Sequence, residues 1–165
     1  MLRAVNSKTF QAKAGRFAIV ASQYNARYVD SMLRAAKAEL KRGGAKDIRI
    51  VRVPGAFEIP VVAAHLAREA QSSRITHHAS GIACIICLGV ILRGQTVHAE
   101  LIGEAVSRAL MELQLKYEVP VIHEVLLLEN DEQARARCLG RKHNRGAEAA
   151  QTALAMAAVM RRIGG

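Results

Sequence analysis

Apolar residues fall along this chain in two alternating patterns, short unbroken runs and longer stretches with a helical period. Arg16 to Ser22 (Arg-Phe-Ala-Ile-Val-Ala-Ser) is a β-branched apolar run and predicts a strand. From Tyr28 to Lys41 the residues Val29, Met32, Leu33, Ala36 and Leu40 recur at helical spacing, and Gly43-Gly44 stops that helix. Asp47 to Val53 predicts a second strand, followed by the turn Pro54-Gly55-Ala56-Phe57-Glu58 and a helix opening at Pro60, where a missing N–H costs little. Ser72 to Ser80 reads as a polar loop. Gly81 to Val90 is continuously apolar, as expected of a central strand buried on both faces of a parallel sheet.

A third helix is predicted from Thr96 to Tyr117, with Leu101, Ile102, Ala105, Ala109, Leu110 and Leu113 on its inner stripe. Val121 to Leu128 is a fourth strand, Asp131 to Arg137 a short helix, and Ala147 to Ile163 a long alanine-rich one. Regular alternation of strand and helix implies an α/β fold in three layers, one parallel sheet with helices on both faces. Residues 1–15 carry no such pattern and read as an N-terminal extension to a single domain spanning 16–165.

Composition narrows the function classes. With 165 residues the chain can bury a sizeable core, and at 4% aromatics without tryptophan, aliphatic packing must carry it. So few rings also disfavour a stacking platform for single-stranded nucleic acid. The net charge of +10 suggests an anionic partner, yet Arg34, Lys37 and Lys41 lie where an amphipathic helix exposes its charges, so an RNA-binding reading finds little support. Three cysteines and no apolar leader in the first fifteen residues point to a reducing cytoplasm. Cys84 and Cys87 have the spacing of half a zinc knuckle, but residues three apart in a strand face opposite ways, so no metal site is expected. No apolar run reaches membrane-spanning length, and no membrane partner is expected.

Ligands of open α/β sheets bind beyond the carboxyl ends of the strands. Four segments therefore matter: Ser22 to Asn25, Pro54 to Glu58, Leu92 to His98, and Leu128 to Arg137. None carries a dinucleotide or Walker glycine fingerprint. In the third, Gly94, Gln95 and Thr96 before a helix, with Arg93 adjacent, form a candidate anion site, although a capped helix without a ligand would look the same. His98, in the first turn of that helix, is a candidate catalytic residue, with an ordinary surface histidine the equal alternative. Glu100, two positions on, is poorly placed to orient it.

Taken in order, these segments resemble the 6,7-dimethyl-8-ribityllumazine synthase family from about Phe17 to Met160. The matching stretches are Tyr24-Asn25, the run Pro54-Gly55-Ala56-Phe57-Glu58-Ile59-Pro60, and Leu88-Gly89-Val90-Ile91 with Arg93-Gly94, Thr96 and His98. Pro120-Val121, Glu129-Asn130, Glu132-Gln133-Ala134, Arg137 and Asn144-Arg145-Gly146 complete the match. The resemblance implies a flavodoxin-like strand order 2-1-3-4. It also implies condensation of 5-amino-6-ribitylaminouracil with 3,4-dihydroxy-2-butanone 4-phosphate, a transferase reaction of riboflavin biosynthesis needing no cofactor. His98 would move protons, and Gln95, Thr96 and Arg137 would hold the phosphate. Tyr24 would stack on the pyrimidine, and Asn25, Ala56, Phe57, Glu58, Val90, Ile91, His123 and Arg145 would complete the substrate site.

The same resemblance implies a homopentamer with its sites between subunits, Tyr24, Phe57 and His98 from one chain and His123 and Arg137 from the next. Residues 1–15 would then add a strand to a neighbour's sheet. Decamers, shells of pentamers and a riboflavin synthase partner also occur in the family, and the sequence does not choose among them. Five positions depart from the family pattern: His123 replaces an aromatic ring, Glu124 a glycine, Arg145 a lysine, and Ala99 and Leu101 the two aromatics that flank the acid at Glu100; Leu92 also adds one residue before Arg93. These departures keep open an alternative, a weakly active or non-catalytic relative that binds flavin or lumazine or builds a shell.

Overall fold

The computed structural model describes residues 15–75, 81–140 and 143–164. Four strands, β1 (Arg16–Ser22), β2 (Asp47–Val53), β3 (Ile82–Leu92) and β4 (Val121–Leu128), form one sheet in the order β2-β1-β3-β4, and every pair is parallel. The five helices are α1 (Ala26–Arg42), α2 (Ile59–Ile75), α3 (His98–Tyr117), α4 (Asp131–Cys138) and α5 (Arg145–Ile163). The predicted architecture and strand order are therefore observed. The expected N-terminal extension lies, but for Gly15, outside the described residues.

Alternation along each strand sends side chains to two separate cores. Phe17, Ile19, Cys84, Ile86 and Leu88 pack with α1, α4 and α5; Ala18, Val20, Ile85, Cys87 and Val125 pack with α2 and α3. Cys84 and Cys87 thus face opposite ways, both fully buried, and burial drives both thiols up. β1 and β3 occupy the interior of the sheet and are buried almost throughout, as strands covered on both faces must be.

Several boundaries differ from the pattern-based expectation. α2 opens at Ile59, with Pro60 still in its first turn, and continues through Ser72 and Ser73 to Ile75 rather than ending in a loop. Those two hydroxyls donate to the Arg68 and Glu69 carbonyls one turn back, which lets polar residues ride inside a helix. The remaining predicted loop, residues 76–80, lies outside the described residues. α3 begins at His98, two residues later than predicted, and its inner face is Ala99, Ile102, Val106, Leu110 and Leu113. Leu101 and Ala105 instead face outward, because α3 is apolar on two sides and periodicity alone does not say which side meets the sheet.

α5 starts at Arg145 because Asn144 caps it, its side-chain oxygen accepting from the Gly146 N–H at 2.9 Å. The same amide donates to the Cys138 carbonyl at 2.6 Å, which also accepts from the Ser31 hydroxyl at 2.7 Å. α1, α4 and α5 are thereby tied at one point. Gly146 sits so close to α1 that a Cβ there would collide with the Met32 carbonyl oxygen, whereas one on Gly94 would meet nothing within 4 Å. Gly146→Ala should therefore cost about 2 kcal/mol or more in urea denaturation, and Gly94→Ala should leave the midpoint unchanged.

Candidate functional site

A parallel sheet brings Ser22, Val53, Leu92 and Leu128 to one edge, and the segments beyond them form the candidate site. The loop after β1 is stitched to the loop after β2: the Gln23 N–H donates to the Val53 carbonyl at 2.8 Å and the Tyr24 N–H to the Pro54 carbonyl at 3.0 Å. Gly55 is required here, since a Cβ would come within 3.1 Å of two Tyr24 ring carbons and 2.9 Å of Glu58 Oε2. Tyr24 thus lies over the Gly55 backbone with 70% of its surface exposed. Ala56 is buried in the single 3-10 turn Ala56–Glu58, and Phe57 projects from that turn, 61% exposed. Glu58 Oε2 accepts from the Gly55 N–H at 2.9 Å, which orients the carboxylate.

Asn25 adopts the left-handed conformation (φ 56°) at the start of α1, one of the few non-glycine types that does so at low cost. Its amide donates to the Val90 carbonyl at 2.8 Å and so clamps the loop after β1 to the end of β3. Val90 and Ile91 are buried in that strand end.

Beyond β3, residues 93–97 form an open loop and His98 is the exposed first residue of α3. Thr96 therefore precedes the helix instead of opening it, and Gln95 lies in the loop before it. Thr96 Oγ1 accepts a long bond, 3.4 Å, from the His98 N–H, and the Leu101 N–H makes the first α-helical bond, to the Val97 carbonyl. Val97, at the N-cap position, has no side-chain oxygen to cap this helix start, and the Thr96 contact is long. Free N–H groups and the helix dipole consequently meet at an open loop, which suits an anion.

Arg93, expected to add free charge to that anion site, is engaged elsewhere. Its guanidinium pairs with Glu100 Oε1 at 2.6 Å and Glu129 Oε2 at 2.9 Å, while its backbone N–H donates to the Leu128 carbonyl at 2.8 Å. Arg93 thus holds the α3 start against the end of β4. Glu100 turns to Arg93 rather than to His98, as its position on the helix required.

The remaining site residues form a second group along the sheet edge. His123 is exposed at mid-strand in β4, paired with Cys87, and its Nε2 lies 2.8 Å from Ser107 Oγ on α3. It lies five positions before Leu128, roughly 16 Å along a strand. One chain therefore does not bring His123 to the rim that carries Tyr24, Phe57 and His98. On the opposite face of β4, Glu124 is 5% exposed and accepts from Arg145 Nε at 2.6 Å, and Arg145 also pairs with Glu148 at 2.8 Å. Arg137, exposed near the end of α4, acts electrostatically on Glu124. Burial pushes the Glu124 carboxyl up, against the pull of Arg145 and Arg137.

The Arg93 and Glu124 ion-pair clusters were missed at the sequence level. Glu124 carried a usable signal: a carboxylate inside the run Val-Ile-His-Glu-Val-Leu-Leu-Leu must find a buried cation. Among the described residues no group of three or more His, Cys, Asp or Glu side chains is arranged to hold a metal ion, and no helix is long and apolar enough to cross a membrane.

By sequence the chain is similar to known proteins. The model of the 6,7-dimethyl-8-ribityllumazine synthase family matches residues 14–161. Proteins named 6,7-dimethyl-8-ribityllumazine synthase from Stenotrophomonas maltophilia (strain R551-3) and Xanthomonas oryzae pv. oryzae (strain PXO99A) are similar along nearly their whole lengths. The first is 37% identical over 153 residues, 92% of each chain. The second is 40% identical over 147 residues, 88% of this chain and 89% of the relative.

The His123 ring yields a pH prediction. Although one face of the ring is exposed, the side against the sheet and α3 is desolvated, which lowers its pKa below the ordinary 6.5, so the folded chain binds its proton less readily than the unfolded chain does. Its contribution to stability is then complete above pH 6.5 and is lost as pH falls below that value toward the folded-state pKa. Urea midpoints measured from pH 7.5 down to 5 should fall less steeply for His123→Gln than for the wild type.

Proposed function

Because the chain belongs to the 6,7-dimethyl-8-ribityllumazine synthase family, we propose that the rim beyond β1, β2 and β3 is the condensing site, completed by the β4 edge of a second subunit. The protein is an enzyme of riboflavin biosynthesis, a transferase that joins 5-amino-6-ribitylaminouracil to 3,4-dihydroxy-2-butanone 4-phosphate with loss of phosphate and water. The alternative of a non-catalytic carrier or shell protein is not favoured, since the relatives bear the name of the enzyme.

The chemistry asks little of the protein beyond orientation and proton movement. The uracil's 5-amino group attacks the ketone and water leaves to give an imine; phosphate is then eliminated, which leaves a carbonyl on the neighbouring carbon, and the ribitylamino nitrogen attacks that carbonyl and loses a second water as the ring closes. Holding both reactants in one rim converts an encounter of two molecules into an internal step. In our reading Tyr24 stacks on the pyrimidine, Phe57 adds an apolar wall, and Ala56 with the Gly55-bound Glu58 borders the ring edge and ribityl chain. Asn25, Val90 and Ile91 form the floor, with Asn25 serving first as the clamp on Val90. His98, exposed at the α3 start, takes and returns protons at the reacting nitrogen and carbon. The phosphate sits at the uncapped α3 start beside Gln95 and Thr96 and is paired by the exposed Arg137 of the neighbouring chain. His123 of that neighbour covers the substrate ring.

The observation that carries this reading is that His123 lies roughly 16 Å along β4 from the rim that carries Tyr24, Phe57 and His98, so one chain cannot bring it to that site. It also supports the assembly. The family is oligomeric, and we assign a pentamer in which the exposed stripe of Leu101, Met111 and Leu115 on α3 meets a second copy. Decamers and shells built from such pentamers, with riboflavin synthase as a partner, remain open extensions of this assignment. We place the enzyme in the cytoplasm, where its three free, buried cysteines stay reduced.

His98→Ala should lower kcat by about a hundredfold or more. Arg137→Ala should chiefly raise KM for the phosphorylated substrate. Both are read from the rise of lumazine absorbance with the uncatalysed background subtracted. A wild-type rate no greater than that background would overturn the proposal.

A further inference from the structure

Arg145 and Arg137 both lie close enough to Glu124 and Cys138 to act on them electrostatically, yet only one of the two is free. Arg145 is two-thirds covered and holds two carboxylates, Glu124 through Nε at 2.6 Å and Glu148 through Nη1 at 2.8 Å. Glu124 is 5% exposed and rises from the middle of β4, a strand whose other α5-facing residues, Ile122, Leu126 and Leu128, are apolar. Glu148 extends from the first turn of α5, one turn beyond Arg145 itself. The guanidinium is thus pinned between a strand and its own helix, and its charge is cancelled before any ligand arrives. Arg137 has no ion pair among the described residues.

We infer that Glu124 is a positioning residue that withdraws Arg145 from the phosphate, leaving Arg137 as the cation of the β4 edge that pairs it and setting the affinity for phosphorylated substrate. This rests on the proposed site. The inference concerns charge: with Glu124 ionised, the four groups Arg137, Arg145, Glu124 and Glu148 sum to zero, and neutralising Glu124 leaves one uncompensated positive charge beside the phosphate subsite. A carboxylate bonded at 2.6 Å in a buried setting also fixes the guanidinium plane, so removing it frees both the charge and the geometry of Arg145.

The test is a cycle of three assembled variants, Glu124→Gln, Arg145→Gln and the double substitution, which replaces the ion pair by two amides and leaves no unpaired buried charge. Binding of inorganic phosphate is measured by calorimetry at low salt, and lumazine formation is followed separately. Glu124→Gln should bind phosphate about threefold tighter or more, and lower KM for the phosphorylated substrate without a matching change in kcat or in KM for the pyrimidine. The double variant should return phosphate affinity to the wild-type value, because the charge released by the first change is removed by the second. Unchanged phosphate affinity in Glu124→Gln, or weakened affinity in Arg145→Gln with the double variant equally weak, would overturn the inference and make Arg145 a direct ligand. Because phosphate binding is read without turnover, wild-type protein that binds phosphate but forms no lumazine would count against the proposed function and leave this inference standing on its own readout.

Discussion

A parallel sheet delivers the carboxyl end of every strand to one side, and here the unbroken register of β3 with β4, from Ile85↔Val121 to Leu92↔Leu128, decides what those ends can hold. Because β3 is buried on both faces, its exit point cannot drift, and the loops around it are built as attachments to it. Asn25 reaches from the end of β1 to the Val90 carbonyl; the Arg93 backbone reaches across to Leu128. The loop that leads into the uncapped α3 start is held between these two ties. His98 is exposed at that start without being loose, since the helix behind it is anchored by Ala99, Ile102, Val106 and Leu110 in the core.

The charged groups divide by commitment. Arg93 spends its guanidinium on Glu100 and Glu129, and Arg145 on Glu124 and Glu148; both are struts that join elements. Arg52 does similar service near the β1 exit, pairing with Asp30 at 2.5 Å and donating to the Ser22 carbonyl at 3.0 Å. A basic chain with a net charge of +10 therefore offers its site far less free positive charge than composition suggests. Among the described residues, the helix start with its open N–H groups and the exposed Arg137 of α4 stay uncommitted.

Most of the fold was legible in the sequence because its signals are local. The Arg16–Ser22 and Gly81–Val90 runs are short, β-branched and bounded by turn residues, which favours buried strands and is borne out by β1 and by β3 at Ile82–Leu92, and Gly43-Gly44 ends α1 where a glycine pair should. Two of the differences share a cause, side chains that make bonds the linear pattern does not show. Ser72 and Ser73 are polar yet helical because they bond back one turn, and α5 begins two residues early because Asn144 caps it while also tying Ser31 and Cys138. α3 was misjudged for a different reason: Leu101 and Ala105 are as apolar as Val106 and Leu110, and only the sheet's position shows which set turns inward. The site residues were found as types and positions, but their commitments were not. That Asn25 is a clamp and Arg145 half of a buried pair depends on contacts between residues 65 and 21 positions apart.

The account turns on the claim that one chain supplies His98 and its neighbour supplies Arg137. Co-expressing differently tagged His98→Ala and Arg137→Ala chains and isolating the mixed assembly tests this directly, with lumazine formation measured at substrate concentrations where each parent variant is near background. In a random mixture, about one interface in four pairs an intact His98 with an intact Arg137. Recovery to about a quarter of the wild-type rate is predicted. A mixed assembly no faster than its two parents would contradict a shared site.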